Sequence, residues 1–283
     1  MRTISENDIL GFRKYLTDSE KSQATISKYT YDVRCFICWL NGREAEKAEV
    51  VGYKQYLQTV YAPASVNSML SSVNSFFEFL GWSDLRVKTL KIQRQTFLSS
   101  DKELSRQEYG RLLRAAQKAG LPRMYWLMQT ICATGIRISE LPYITVEAVK
   151  KGYADINCKG KRRHVYLPDT LRSALKEYCS GMKIKKGSVF ITQSGRPIDR
   201  SYVWTEMKKL CREAGVPEVK VYPHNLRHLF ARTHYAVYKD IVRLADILGH
   251  SSVNTTRIYT MESGEIHRKQ VQKLGLVEYH LST

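Results

Sequence analysis

The sequence has no apolar run long enough to span a bilayer, which argues against a membrane-spanning chain. Its first residues, MRTISENDILGF, lack a charged start followed by an apolar block and a small-residue cleavage site, so neither a signal peptide nor an anchor is expected. There is no internal repeat, no low-complexity tract and no P-loop. Cysteine is sparse: the six are Cys35, Cys38, Cys132, Cys158, Cys179 and Cys211. Only Cys35 and Cys38 form a C-x-x-C, and no second pair has ligand spacing. That pair sits in an amphipathic helical pattern, where small apolar thiols pack. No metal and no cofactor are expected, and reduced thiols fit a cytoplasmic protein. Acidic residues are also few, 27 against 45 Lys and Arg, for a formal net charge of +18. Solubility does not require that much charge of one sign. A polyanion partner explains it, because cations that neutralise phosphates release condensed counterions. Charge alone does not separate DNA from RNA or from an anionic membrane.

What is present reads as two domains, the prior for 283 residues. Residues 1–82 are expected to form an all-α unit. Ser5 and Asp8 make a capping box before Ile9, Phe12 and Leu16. Helical spacing of apolar residues continues over 24–39, 47–59 and from Ser65 to Leu80. Residues 83–102 are polar and basic, with Lys88, Lys91 and Arg94, and read as an interdomain linker or a strap along a phosphate backbone. The second domain, residues 103–283, opens on a capping box of Ser105 and Glu108. Its strand material is Ala154–Cys158 and His164–Leu167, joined by the basic tip Lys159-Gly160-Lys161-Arg162-Arg163, with a further short strand at Val189–Thr192. The expected class is mainly α, with a small β-sheet in the second domain.

Four separated features carry chemistry. Arg137 follows a glycine break in Thr134-Gly135-Ile136-Arg137-Ile138-Ser139-Glu140-Leu141, where its planar fork can bind two phosphate oxygens. The plainer alternative is an i,i+3 ion pair between Arg137 and Glu140. His224 and Arg227, in His-Asn-Leu-Arg-His, share one helix face as an oxyanion clamp or acid–base pair, or else form a polar helix start. Leu248-Gly249-His250-Ser251 ends one helix and caps the next, and Tyr259 follows nine residues after His250. Any one of 18 tyrosines could equally be a packing residue. Lys159 is either a solvated turn charge or an ammonium delivered into a site.

Taken in order, the T-G-x-R-x-S-E-L box, a hairpin lysine, H-x-x-R-H, L-G-H-S and a tyrosine nine residues on resemble the tyrosine recombinase/integrase family, with a likeness to small bacterial Xer-type and phage- or transposon-type enzymes. The resemblance covers about the whole chain, since that family carries a helical, SAM-like, core-DNA-binding N-terminal domain joined by a linker to a mixed α/β catalytic domain. It implies that Arg137, Lys159, His224, Arg227 and His250 surround a scissile phosphate, with Tyr259 as nucleophile and Glu140 in support. His224 is then the base candidate, Lys159 the acid candidate, and His250 a further hydrogen-bond donor. Lys159 stands in Cys-Lys-Gly where many relatives have Gly-Lys-Gly, which leaves Lys161 as an alternative. The implied reaction is site-specific recombination (integration, excision, inversion or resolution) through a 3′-phosphotyrosyl bond. A type IB topoisomerase-like activity and a catalytically silent DNA-binding regulator are the rival readings. Lys88, Lys91, Arg94, Lys161 and Arg162 are candidate DNA contacts. The implied partners are double-stranded DNA sites and a homotetramer on DNA, held by the tail bearing Ile266, Val271, Leu274, Leu276 and Val277. The expected location is cytoplasmic and nucleoid-associated.

Overall fold

The computed structural model describes residues 2–92, 102–158, 161–259, 268 and 271–274. The chain divides into two compact units, 1–94 and 95–283. Among the described residues, no helix is long and apolar enough to cross a membrane.

Among its described residues the first unit holds the α-helices α1 (Glu6–Asp18), α2 (Gln23–Leu40), α3 (Lys47–Val60) and α4 (Pro63–Phe79), followed by a 3₁₀ turn (Ser83–Leu85). The Ser5 hydroxyl accepts from the Asp8 amide and the Asp8 carboxylate accepts from the Ser5 amide, so two orphan donors of α1 are satisfied reciprocally. Helix α4 begins two residues before the expected Ser65, because Pro63 occupies its first turn, where its missing N–H costs nothing. Phe12, Phe36, Phe76 and Phe77 fill the core, with edge-on contacts at 5.1 Å (Phe12–Phe76) and 5.6 Å (Phe36–Phe77). The one acid in this core, Asp32, accepts from Ser72 at 2.6 Å and from Lys28. Cys35 and Cys38 are free thiols on α2.

The segment expected as a linker from residue 83 begins as part of this unit. Leu85 and Val87 are buried. Asn74 bonds both backbone groups of Val87 at 2.8 and 2.9 Å, and Asn67 does the same for Leu90 at 2.9 and 2.7 Å. The composition is polar, but two amide side chains and two apolar anchors supply what an extended strand would otherwise obtain from a sheet. Lys88 and Lys91 are exposed on this segment; Arg94 lies outside the described residues.

The second unit runs α5 (Arg106–Lys118), α6 (Pro122–Thr134), a 3₁₀ turn (Ile138–Tyr143), α7 (Val146–Lys151), β1 (Tyr153–Cys158), β2 (Lys161–Tyr166), α8 (Asp169–Gly181), α9 (Arg200–Ala214), α10 (Pro223–Tyr238), α11 (Ile241–Leu248), α12 (Val253–Thr256) and a 3₁₀ turn (Arg257–Tyr259). Its core includes Leu112, Leu127, Ile131, Ile156, Leu175, Phe190, Met207 and Leu226. A smaller cluster joins Ala231, Leu244, Leu248 and Tyr259.

Strands β1 and β2 pair antiparallel from Tyr153↔Tyr166 to Cys158↔Lys161. Lys161, Arg162 and Arg163 are therefore strand residues and not loop tip as expected. The inward face of β2 runs through Val165 to Arg163, whose charge is met by buried Glu140. Val189–Thr192 is not a third sheet strand. It turns back on itself, with Ile198 donating to the Phe190 carbonyl at 3.2 Å, Thr192 to the Arg196 carbonyl at 2.7 Å, and Gly195 at φ +77°. Val189 and Phe190 are buried by packing, and the run pairs only through isolated antiparallel bridges, Thr145 with Ser188 and Ile191 with Pro197.

Of the tail, Val271 and Leu274 are exposed. Ile266, Leu276 and Val277 lie outside the described residues.

Candidate active site

The first arginine is placed by a glycine. Helix α6 ends at Gly135 in the left-handed region, φ +67°, and a side-chain carbon there would lie 2.4 Å from the Phe230 ring. The chain can thus turn tightly against α10, and Arg137 emerges extended ahead of the 3₁₀ turn. Glu140, on that turn, is completely buried. It accepts from the Arg137 amide at 2.8 Å and from its guanidinium at 3.0 Å. The ion pair raised as the plainer alternative is therefore present. It does not consume Arg137, whose second terminal nitrogen donates to the Gly249 carbonyl at 3.2 Å and whose side chain keeps 37% of its surface.

Arg227 sits one turn into α10 and is 1% exposed. Its guanidinium donates to the carbonyls of Gly135 (2.6 Å) and Leu248 (2.8 Å), and to His250 Nε2 (2.9 Å). One buried side chain thereby joins the glycine–arginine box, the H-x-x-R-H helix and the L-G-H-S turn. Burial, and then the nearby Arg137 charge, lower its pKa to about 10, still well above neutrality.

A guanidinium only donates, so His250 Nε2 must accept. Its proton then resides on Nδ1, 2.7 Å from the hydroxyl of buried Thr256. Burial, then Arg227, Arg137 and Arg163, push His250 down to about 4, so it is neutral at ordinary pH. Without DNA, Nε2 of His250 is thus turned toward Arg227.

Tyr259 lies on the last 3₁₀ turn, 4% exposed. Its ring stacks on His250 at 6.1 Å and meets the edge of His228 at 4.9 Å. Burial raises the phenol pKa, opposed by the Arg227 and Arg137 charges. His224 stands exposed at the start of α10, its ring 4.5 Å from His228. Partial desolvation, then Arg227, Arg137 and Arg200, hold its pKa below the usual histidine range.

Arg137, His224 and Arg227 line a cavity of about 330 Å³ together with Arg200 and Trp204 of α9. Sequence reasoning missed those two, because nothing in the α9 pattern marks which face meets α10. It also missed His228, which contacts both His224 and Tyr259, and Arg163. Arg163 did leave a trace: it takes the inward position two before Val165 and four before Leu167, both buried. Lys159 lies outside the described residues, as does the side chain of Lys161; Arg162 is exposed on β2. Among the described residues, no group of three or more His, Cys, Asp or Glu could hold a metal ion. What the geometry can do is accept an anion: guanidinium groups outnumber the single buried carboxylate, beside neutral imidazoles and a phenol.

Residues 102–265 match the phage integrase family, and residues 9–84 match the phage integrase N-terminal SAM-like domain. The chain is 30% identical over 277 residues to tyrosine recombinase XerA of Thermococcus kodakarensis, covering 94% of this chain and 95% of that protein. It is 27% identical over 283 residues to tyrosine recombinase XerC of Roseiflexus, covering 90% and 88%. The crystal structure of XerA recombinase superposes over 97% of this chain and 99% of its own, with a TM-score of 0.53 at 27% identity. A lambda integrase dimer bound to a COC′ core site shares the fold, with a TM-score of 0.72 over 99% of both chains at 14% identity. With the match spanning every segment that builds the cavity, the chain belongs to the phage integrase family of tyrosine recombinases.

Proposed function

We propose that this protein is a site-specific DNA recombinase that breaks and rejoins strands through Tyr259. The observation that carries the reading is the convergence of Arg137, Arg227, His250 and Tyr259, from three separated segments, through direct bonds and ring contacts. Tyr259 Oη attacks the scissile phosphorus, the bond from phosphorus to O5′ breaks, and a 3′-phosphotyrosyl link forms. Displacement builds charge on the non-bridging oxygens. Arg137, with exposed surface, is placed to receive them, while buried Arg227 adds a fixed charge behind.

The phenol must lose its proton as it attacks. His224, neutral at ordinary pH, is the proposed acceptor, with His228 packed against both rings. The departing O5′ must gain a proton, and Lys159, or Lys161 beside it, is the proposed donor. His250 gains a proton and a donor role once a phosphate anion offsets the burial and the arginine charges that hold it neutral. Rejoining reverses these steps with the energy kept in the phosphotyrosyl bond. Because Tyr259 is nearly buried, DNA binding has to bring it toward the phosphate. We further place the basic residues Lys88, Lys91, Arg94, Lys161 and Arg162 on DNA, and assign the tail a role in tetramer assembly there.

The test is incubation with nicked substrates carrying candidate sites, in EDTA, followed by denaturing gels. A slow-migrating protein–DNA band that disappears in Tyr259→Phe is expected. A band that survives this change overturns the nucleophile assignment.

A further inference from the structure

The β-hairpin is fastened to the Arg137 turn at two independent points. On β1, the Tyr143 hydroxyl of the 3₁₀ turn donates to the Asn157 carbonyl. On β2, Arg163 donates through both terminal nitrogens to Glu140, at 2.9 and 2.8 Å. This fork-to-fork pair is geometrically specific in a way a lysine could not reproduce. Arg163 keeps only 15% of its side-chain surface and Glu140 none. Arg163 also packs under the L-G-H turn: a side-chain carbon on Gly249 would come within 2.8 Å of its guanidinium. Glu140 in turn holds Arg137, and Arg137 bonds the Gly249 carbonyl. A closed loop of contacts thus runs hairpin, Glu140, Arg137, Gly249 and back to Arg163.

We propose that Arg163 is a positioning residue for the leaving-group proton: by locking β2 to the Arg137 turn through Glu140, it holds the strand that leaves the hairpin turn in one register with Arg137, and proton delivery to O5′ depends on that register. This rests on the recombinase reading above. Arg163 does not touch the DNA phosphate in this role. It sets the register between two elements whose groups act on opposite sides of one displacement, Arg137 on the non-bridging oxygens and the hairpin lysine on O5′.

The consequence can be read chemically. Replacing O5′ by sulfur turns the leaving group into a thiol, of pKa about 8.5, which departs as thiolate without a proton donor. A defect in delivering the proton is therefore relieved by sulfur, and a defect in binding the phosphate, orienting Tyr259 or folding is not. The experiment compares covalent-adduct rates of the full-length protein on nicked DNA with either O5′ or S5′ at the cleaved bond. The variants are Arg163→Met, Arg163→Lys and Lys159→Met, plus the double change Glu140→Gln with Arg163→Met, which leaves no buried charge unpaired. Arg163→Met is expected to slow the oxygen substrate on the order of a hundredfold, the scale of general-acid catalysis, and to regain most of the rate on sulfur. Arg163→Lys should show the same selectivity in milder form, and the double variant should keep it if it folds normally by thermal melting. Equal slowing on both substrates, or no slowing on oxygen, overturns the proposal. If Arg163→Met is rescued by sulfur and Lys159→Met is not, the positioning role stands and the donor is another hairpin group. If neither variant forms any adduct on either substrate while Tyr259→Phe retains one, the recombinase reading itself has failed and the proposal falls with it.

Discussion

Arg227 donates to His250 Nε2 at 2.9 Å, and this bond fixes the state of both residues. The guanidinium is buried and held by two main-chain carbonyls, so it is a structural girder as well as a source of charge. The imidazole is neutral chiefly because it is buried, and then because the Arg227, Arg137 and Arg163 charges face it.

That arrangement has a pH signature. His250 and His228 are pushed down to about 4 and about 3, each chiefly by burial. An unfolded histidine titrates near 6.5 and takes up protons that the folded state refuses. The unfolded state therefore binds more protons between the folded values and about 6.5, and stability rises with pH over that span. Melting temperature should fall as pH is lowered from 6.5 toward 4. His228→Phe should flatten part of the slope; an unchanged slope would remove His228 from the account.

The two site arginines should separate in equilibrium unfolding. Arg227→Ala deletes a fully buried side chain and leaves the Gly135 and Leu248 carbonyls without a partner, a loss of about 3–5 kcal/mol. Arg137→Ala removes a partly exposed side chain whose partner Glu140 keeps Arg163, so about 1 kcal/mol or less is expected. Both should abolish the covalent adduct. Urea denaturation of the two variants measures the difference.

Gly135 and Gly215 make a matched pair. Both have positive φ, but a side-chain carbon meets nothing at Gly215 and meets the Phe230 ring at 2.4 Å at Gly135. Gly215→Ala should cost only the left-handed penalty, about 1–2 kcal/mol. Gly135→Ala should add about 1–3 kcal/mol of overpacking and displace the turn that carries Arg137, with a parallel loss of adduct formation. Equal destabilisation of the two would show that α10 gives way freely.

The Glu140–Arg163 pair should be strongly coupled in a double-mutant cycle. Removing Glu140 alone strands the largely buried Arg163 charge and costs about 3–5 kcal/mol, whereas removing Arg163 alone leaves Glu140 its bonds from Arg137 and costs less. Removing both, as Glu140→Gln with Arg163→Met, should cost far less than the sum of the two single losses. Additive losses by thermal or urea unfolding would mean that the pair is solvated in solution.

The element order, the capping boxes at Ser5 and Ser105, the glycine breaks at 135 and 249 and the residue types of the site were legible in the sequence, because caps, left-handed turns and helical periodicity are local physics. So was the hairpin, though not its length. The Val189–Thr192 strand was misread because burial on both sides gives an apolar run whether or not a neighbouring strand exists. That the polar segment after residue 82 is held against the first unit by Leu85, Val87 and two asparagine side chains was not legible, because those contacts are made across the fold.

The sequence by itself determined which residues could do the chemistry: two always-charged arginines, titratable imidazoles and a phenol at fixed spacings. Only the tertiary structure decided what each does for the others. Arg227 is a buried tie between three segments, Glu140 serves Arg163 as much as Arg137, and His250 accepts from Arg227 through Nε2. A donor's direction and a carboxylate's burial depend on partners far along the chain. Spacing along the sequence carries no information about them until the segments have packed.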